Sequence, residues 1–183
     1  QGCGSQTAGL IAGGNPVSNS EAFLGAEEYN GTSWSEQNDL STGHGYGWMA
    51  GVQTAALCYT GLTDPSPATT SVNAELYNGT SWTEVGNVNT AKYGILGFGA
   101  TQDTAVKVGG TSANTGVEEY NGTSWTAVNS IPANRADGMG SGAQTSGLIT
   151  AGNPGAYTST LTYDGTNWTV SAATLATGRA GTA

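Results

Sequence analysis

Positive charge is scarce in this 183-residue chain. Lys and Arg together number four and His one, against thirteen Asp and Glu, so the net charge is −9. That balance argues against a DNA- or RNA-binding protein, whose affinity rests on neutralising phosphates. The two cysteines, Cys3 and Cys58, form no CxxC or Cys/His spacing. A zinc site and a disulfide framework are therefore not expected, and two small buried thiols are. A lone histidine, His44, is too few for a two-histidine copper site. No apolar run approaches the roughly 18 residues of a membrane-spanning helix, and no signal peptide is visible. Expected cofactors are none, and expected partners exclude nucleic acid and membrane insertion.

What the chain has in excess is glycine, 30 residues, together with Thr, Ser, Asn and Val. That composition suits short strands and tight turns. It is also repetitive. "YNGTSW" stands at 29–34, 77–82 and 120–125, and "YDGTNW" at 163–168. The Trp spacings are 48, 43 and 43, and joining the two ends would give a fourth spacing of 49. The run "GVQTAALCYTG" at 51–61 matches "GSQTAGLIAGG" at 4–14 and "GAQTSGLITAG" at 142–152. "GATQDTAVKVGG" at 99–110 is the same element with one inserted residue.

Each unit reads as four strands. Strand a is Gly-rich (45–52), Gln-Thr turns the chain, and strand b is small and apolar (55–59). After a variable loop, strand c ends at the repeated Tyr (74–77), and strand d begins at the Trp. Asn-Gly between c and d predicts a type I′ hairpin turn, which needs positive φ at both central residues. Four strands per 43–49 residues predict a propeller blade. Glycine in strand a fits the crowding of innermost strands around the axis. The expected architecture is all-β, a four-bladed propeller in one domain. Its blades are 177–183 plus 1–40, 41–88, 89–131 and 132–176, the first closed by the C-terminal segment. The alternative is a window of a longer array.

The units resemble kelch-type blades. The residues that carry this are the glycine pairs Gly13-Gly14 and Gly109-Gly110, the single Gly61 and Gly152, and the pairs Tyr29/Trp34, Tyr77/Trp82, Tyr120/Trp125 and Tyr163/Trp168. The kelch pattern places an Arg at the start of strand a; His44, Lys92, Arg135 and Arg179 occupy that position here. Kelch propellers usually have six or seven blades and serve as adaptors, lectin-like modules or oxidases, so the resemblance implies a fold and leaves function open. Uniform "YNGTSW" arrays are similar to kelch-like proteins of bacteriophages and environmental bacteria. That similarity implies an extracellular or virion-surface setting, with a glycan, a host-surface receptor or other virion or surface proteins as partners.

Several residues are candidates for function. The Asn-Gly-Thr sequons at 30, 78 and 121 are read as turns, because Asp164-Gly keeps the turn and loses the sequon. The repeated Tyr and Trp are read as packing between blades rather than sugar platforms. Trp48 has no counterpart at Leu96 and Met139, so it is either an axial plug or a ligand contact. His44, Lys92, Arg135 and Arg179 form either a charge pair per blade with Glu27, Glu75 and Glu118, or a cationic ring for an anion. Leu161 takes the Glu position in the fourth unit. The repeats disagree most between strands b and c, and recognition is expected on that face. The expected function is a non-enzymatic structural and recognition module that binds carbohydrate or a partner protein. The alternatives are a purely structural subunit of a fibre or shell and a glycan-degrading enzyme.

Overall fold

The computed structural model describes residues 1–15, 22–65, 67–112 and 114–181. Four antiparallel sheets of four strands follow one another along the chain, each strand paired only with its sequence neighbours. Blade 1 contains β1 (Gly2–Ser5), β2 (Ala8–Ala12), β3 (Ala26–Tyr29) and β4 (Trp34–Gln37). Blade 2 contains β5 (Trp48–Val52), β6 (Ala55–Pro65), β7 (Ala68–Tyr77) and β8 (Trp82–Glu84). Blade 3 contains β9 (Leu96–Thr101), β10 (Thr104–Val108), β11 (Val117–Tyr120) and β12 (Trp125–Val128). Blade 4 contains β13 (Met139–Ala143), β14 (Ser146–Thr150), β15 (Ser159–Tyr163) and β16 (Trp168–Thr174). This is the all-β, four-bladed architecture that the repeat predicts.

Alternation along each strand gives every blade two apolar faces, one for each neighbour. The core therefore lies in three seams. Leu10, Ala12 and Ala26 meet Met49, Cys58 and Tyr77 between blades 1 and 2. Leu57, Tyr59 and Ala74 meet Ala105, Tyr120 and Trp125 between blades 2 and 3. Phe98, Val106 and Val117 meet Ile149, Leu161 and Tyr163 between blades 3 and 4. Full burial of one such Leu or Ile stabilises by about 1.5–3 kcal/mol. The innermost strands touch, as the glycines require: a Cβ on Gly140 would lie 1.9 Å from the carbonyl oxygen of Gly97.

The structure corrects two expectations and does not confirm a third. First, the hexapeptide turn is not type I′. Tyr29 pairs with Trp34, so the loop has four residues, 30–33. Only its glycine is left-handed: φ is 91° at Gly31, 89° at Gly79 and Gly122, and 94° at Gly165. The asparagine works through its side chain instead. Asn30 Oδ1 accepts from the N–H groups of Thr32 and Ser33, both at 3.0 Å. Asp164 does the same for Thr166 and Asn167 at 2.8 and 2.7 Å. An Asx cap needs only an oxygen acceptor, so Asp replaces Asn without loss.

Second, the variable loop expected between strand b (55–59) and strand c (74–77) is mostly strand, because β6 and β7 continue as a hairpin to the pair Pro65–Ala68. Third, the closing of the first blade by the C-terminal segment is not confirmed: the described residues 177–181 form no strand. Among the described residues β1 pairs only with β2, and β13 packs on β9 with no comparable packing on β1. The backbone of the C-terminal segment is taken up by blade 4: Gly152 N–H donates to Arg179 O (2.8 Å) and Gly181 N–H to Asp137 O (3.0 Å). These are the contacts that the lead-in of blade 3 makes with blade 2, and that of blade 4 with blade 3. The described blades thus stand in an arc.

Two irregularities follow from sequence. The residue inserted before β10 makes a bulge between Thr104 and Val106. The glycine pair ending strand b has two distinct stations. The first is left-handed at φ 50–63° and is filled by Gly13, Thr60, Gly109 or Ala151. The second has φ 102–132° at Gly14, Gly61, Gly110 and Gly152, a region only glycine enters without strain, so it is glycine every time.

Candidate functional site

One rim of the arc carries the b–c connections and the lead-ins to strand a. There the inner edge opens into a cavity of about 350 Å³ lined by residues of all four blades. Gln1, Gly14 and Asn15 come from blade 1; Tyr46, Gly47 and Trp48 from blade 2; Gly94 and Ile95 from blade 3; Asp137 and Gly138 from blade 4. The size is that of a small-ligand pocket. Trp48 is half-buried, its indole packed against the seam between blades 2 and 3. Tyr46 is 53 % exposed.

A backbone relay builds this mouth. Gly94 N–H donates to Tyr46 O (2.9 Å), Asp137 N–H to Gly94 O (2.8 Å) and Gly181 N–H to Asp137 O (3.0 Å). Each donor or acceptor stands two residues after the His/Lys/Arg position of its unit, and each is left-handed. Glycine accepts that at 94 and 181, whereas Tyr46 and Asp137 hold φ 52° against their own preference. Both of these non-glycine residues line the one cavity. Neither Tyr46 nor Asp137 stands out in the sequence. The available signal was the loss of glycine at a station where other units keep it.

A second depression, about 320 Å³, adjoins the first and shares Asp137 with it. Gly110, Thr111, Asn134 and Arg135 line it. The Arg135 guanidinium is 2 % exposed. It donates to Ala151 O (3.0 Å), Ser159 O (2.9 Å) and Ser159 Oγ (2.5 Å), and lies 4.5 Å from the centre of the Tyr157 ring. Its Nε is buried without a partner among the described residues.

The other expected site residues stand at the same station in successive units but have different surroundings. His44 is fully buried. Its Nδ1 lies 2.7 Å from Thr60 O and its Nε2 3.3 Å from Glu75 Oε1. Glu75 also accepts from the backbone N–H groups of Ser41 (2.9 Å) and Thr42 (3.0 Å). Burial pushes its pKa up, but the hydrogen bonds from His44, Ser41 and Thr42 outweigh this and hold it below the usual carboxylate range. The d–a connection is thereby clamped by the His44–Glu75 contact, at the station where the sequence offers a charge pair. Lys92 is half-buried and exchanges its backbone with Thr60: Thr60 Oγ1 donates to Lys92 O (2.8 Å) and accepts from Lys92 N–H (3.1 Å).

Lys92 is not the partner of Glu118. That role belongs to Lys107, whose Nζ sits 2.8 Å from Glu118 Oε1 inside the seam. Burial lowers the Lys107 pKa against the pull of Glu118. Glu118 also caps the N–H groups of Asn89 (2.6 Å) and Thr90 (3.1 Å). Arg179 is exposed. A single cationic ring is therefore not assembled: two members face inward and are consumed by structure. The repeated aromatics pack as pairs, with ring centres 5.2, 4.8, 5.2 and 4.6 Å apart in blades 1 to 4. Among the described residues no group of three His, Cys, Asp or Glu is placed to hold a metal ion. Among the same residues no helix is long and apolar enough to cross a membrane.

No family model and no curated protein matches the chain. Among solved structures, 138 chains match it. One of them, described as "Structure of YjhT", superposes with a TM-score of 0.65 at 14% identity, over 82% of this chain and 52% of that one. At that identity the likeness speaks for the fold alone, and the chain matches about half the length of that structure.

Proposed function

We propose that the protein is a non-enzymatic recognition module that binds carbohydrate in the mouth formed by Trp48, Tyr46, Asn15 and Asp137. The observation that carries this reading is the convergence of two aromatic residues of blade 2 and two polar ones of blades 1 and 4 on one small cavity. Aromatic faces stack on the apolar faces of sugar rings, and amide and carboxylate groups take hydroxyls. The left-handed backbones of Tyr46 and Asp137 and the unsatisfied Nε of the adjoining Arg135 support it. Among the described residues the lining offers one carboxylate, whereas glycoside hydrolysis commonly uses a pair about 5–10 Å apart. The proposed setting, a virion or cell surface, rests on the resemblance of the hexapeptide array.

A glycan array followed by titration calorimetry on the hits tests this. Trp48→Ala and Asp137→Asn should each weaken binding at least tenfold with an unchanged melting temperature for Asp137→Asn. Absence of any glycan hit, or hits indifferent to both substitutions, would sink the reading.

A further inference from the structure

Each seam joins two distinct faces, and the chain's two outermost faces are one of each. In the first and third seams a turn glutamine reaches back to two backbone carbonyls of the preceding blade. Gln53 donates to Gly9 O (3.2 Å) and Tyr29 O (2.9 Å); Gln144 donates to Ala105 O (3.5 Å) and Tyr120 O (2.9 Å). In blade 4 the register counterparts of those acceptors are Gly147 and Tyr163, which pair with each other as Gly9 does with Tyr29. They line a depression of about 430 Å³ with Thr145, Ser146, Leu148 and Asp164. By position this depression is the socket of a glutamine turn. At the other end, Gln6 and Thr7 form that same turn and are exposed.

The apolar surfaces agree. On the outer face of blade 4, Met139 is 48% and Leu148 39% exposed; on the outer face of blade 1, Ile11 is 43% and Trp34 48% exposed. Trp34 is the most exposed of the four repeated tryptophans, and its counterpart Trp125 is buried in a seam. At the station where Glu28 and Glu119 accept the next blade's tyrosine hydroxyl (3.0 and 2.9 Å), blade 4 offers Thr162, a hydroxyl that can receive Tyr29.

We infer that blade 1 of a second copy docks on blade 4, head to tail, with Gln6 in the socket and Ile11 and Trp34 on Leu148 and Met139. The contact continues the three seams already present. Repeated twice, it joins two four-blade arcs into an eight-blade ring, within the roughly four to eight blades of closed propellers, and leaves no open end.

Sedimentation velocity of the 183-residue chain from about 1 μM to 1 mM is the test, read with tryptophan fluorescence against Trp34→Phe. A dimer is expected, favoured by salt because each copy carries net charge −9, with a blue shift of the Trp34 emission as it forms. Leu148→Glu should leave the melting temperature of the monomer intact and weaken association at least a hundredfold; Gln6→Ala should weaken it about tenfold. A chain that stays monomeric at every concentration overturns the inference. A dimer indifferent to Leu148→Glu overturns the proposed surface, and species larger than a dimer overturn the closed ring.

Discussion

The seam between blades 2 and 3 and the seam between blades 3 and 4 come from the same repeat, yet they are held differently. Between blades 3 and 4 the polar clasps are complete: Gln144 bonds two carbonyls, Tyr163 bonds Glu119, and Trp168 Nε1 donates to Asn129 O (3.0 Å). The interior there is apolar, with Ile149 and Leu161. Between blades 2 and 3 the clasps fail. Leu76 stands where the acceptor glutamate would be, so among the described residues the Tyr120 hydroxyl is buried without a partner, and the bulge beside Gln102 leaves its Oε1 unpaired. In compensation this seam buries the Lys107–Glu118 pair and packs Tyr59 against Trp125 at 4.8 Å, with the Tyr59 hydroxyl on Val106 O (3.1 Å). The repeated residues set the spacing of blades, and what fastens each seam depends on residues that differ between units.

The strongest break in this comparison is Glu118→Gln. It leaves the Lys107 ammonium in the middle seam without its counter-charge and should cost about 3–5 kcal/mol in chemical denaturation. Glu75→Gln, in the first seam, removes charge-assisted hydrogen bonds from Ser41, Thr42 and His44 and should cost about 1.5–3 kcal/mol at neutral pH. Because the Glu75 pKa is depressed in the fold, its contribution is complete above the ordinary carboxylate range and is lost as pH falls through its own lower value. Melting curves from pH 2 to 6 should therefore be flatter for Glu75→Gln than for the parent.

A third comparison sets a sealed face against an open one. Gly147→Ala would place a Cβ 2.2 Å from the Phe98 ring, and should cost about 1–3 kcal/mol. The equivalent Gly9→Ala meets nothing closer than 3.6 Å and should be near neutral by the same melts. The finest test uses the hydroxyls. Tyr163→Phe should cost about 1 kcal/mol through the lost bond to Glu119. Tyr120→Phe, whose hydroxyl has no partner, should cost nothing or stabilise. Equal effects of the two would refute the distinction between seams.

The four sheets, their order and the face on which the units differ were legible in the sequence, because periodicity and glycine placement are local signals. The pairing of His44 with Glu75 was legible too, since both stand at stations shared by all units. Lys107 was not. It occupies an interior strand-b station where the other units carry Ile11, Cys58 and Ile149, so its partner is found only through register, Lys107 opposite Glu118. The Asx cap was hidden behind the turn propensity of Asn-Gly, although Asp164 keeps the acceptor and drops the amide. The axial mouth was half legible. Trp48 announced itself by having no counterpart, whereas Tyr46 and Asp137 matter through a backbone conformation that no periodicity encodes.

The strictly sequential pairing of strands has a kinetic consequence. Every hairpin closes over a short stretch of chain, so each sheet can nucleate without waiting for distant segments, and the entropic cost of loop closure stays small. Seams form between units that are already neighbours, and docking can spread from whichever blade orders first. The middle seam, with its buried ion pair, requires desolvation of two charges at the moment of docking. It should be the slow step, and blades 1–2 and 3–4 should gain hydrogen-exchange protection as pairs before the whole arc does.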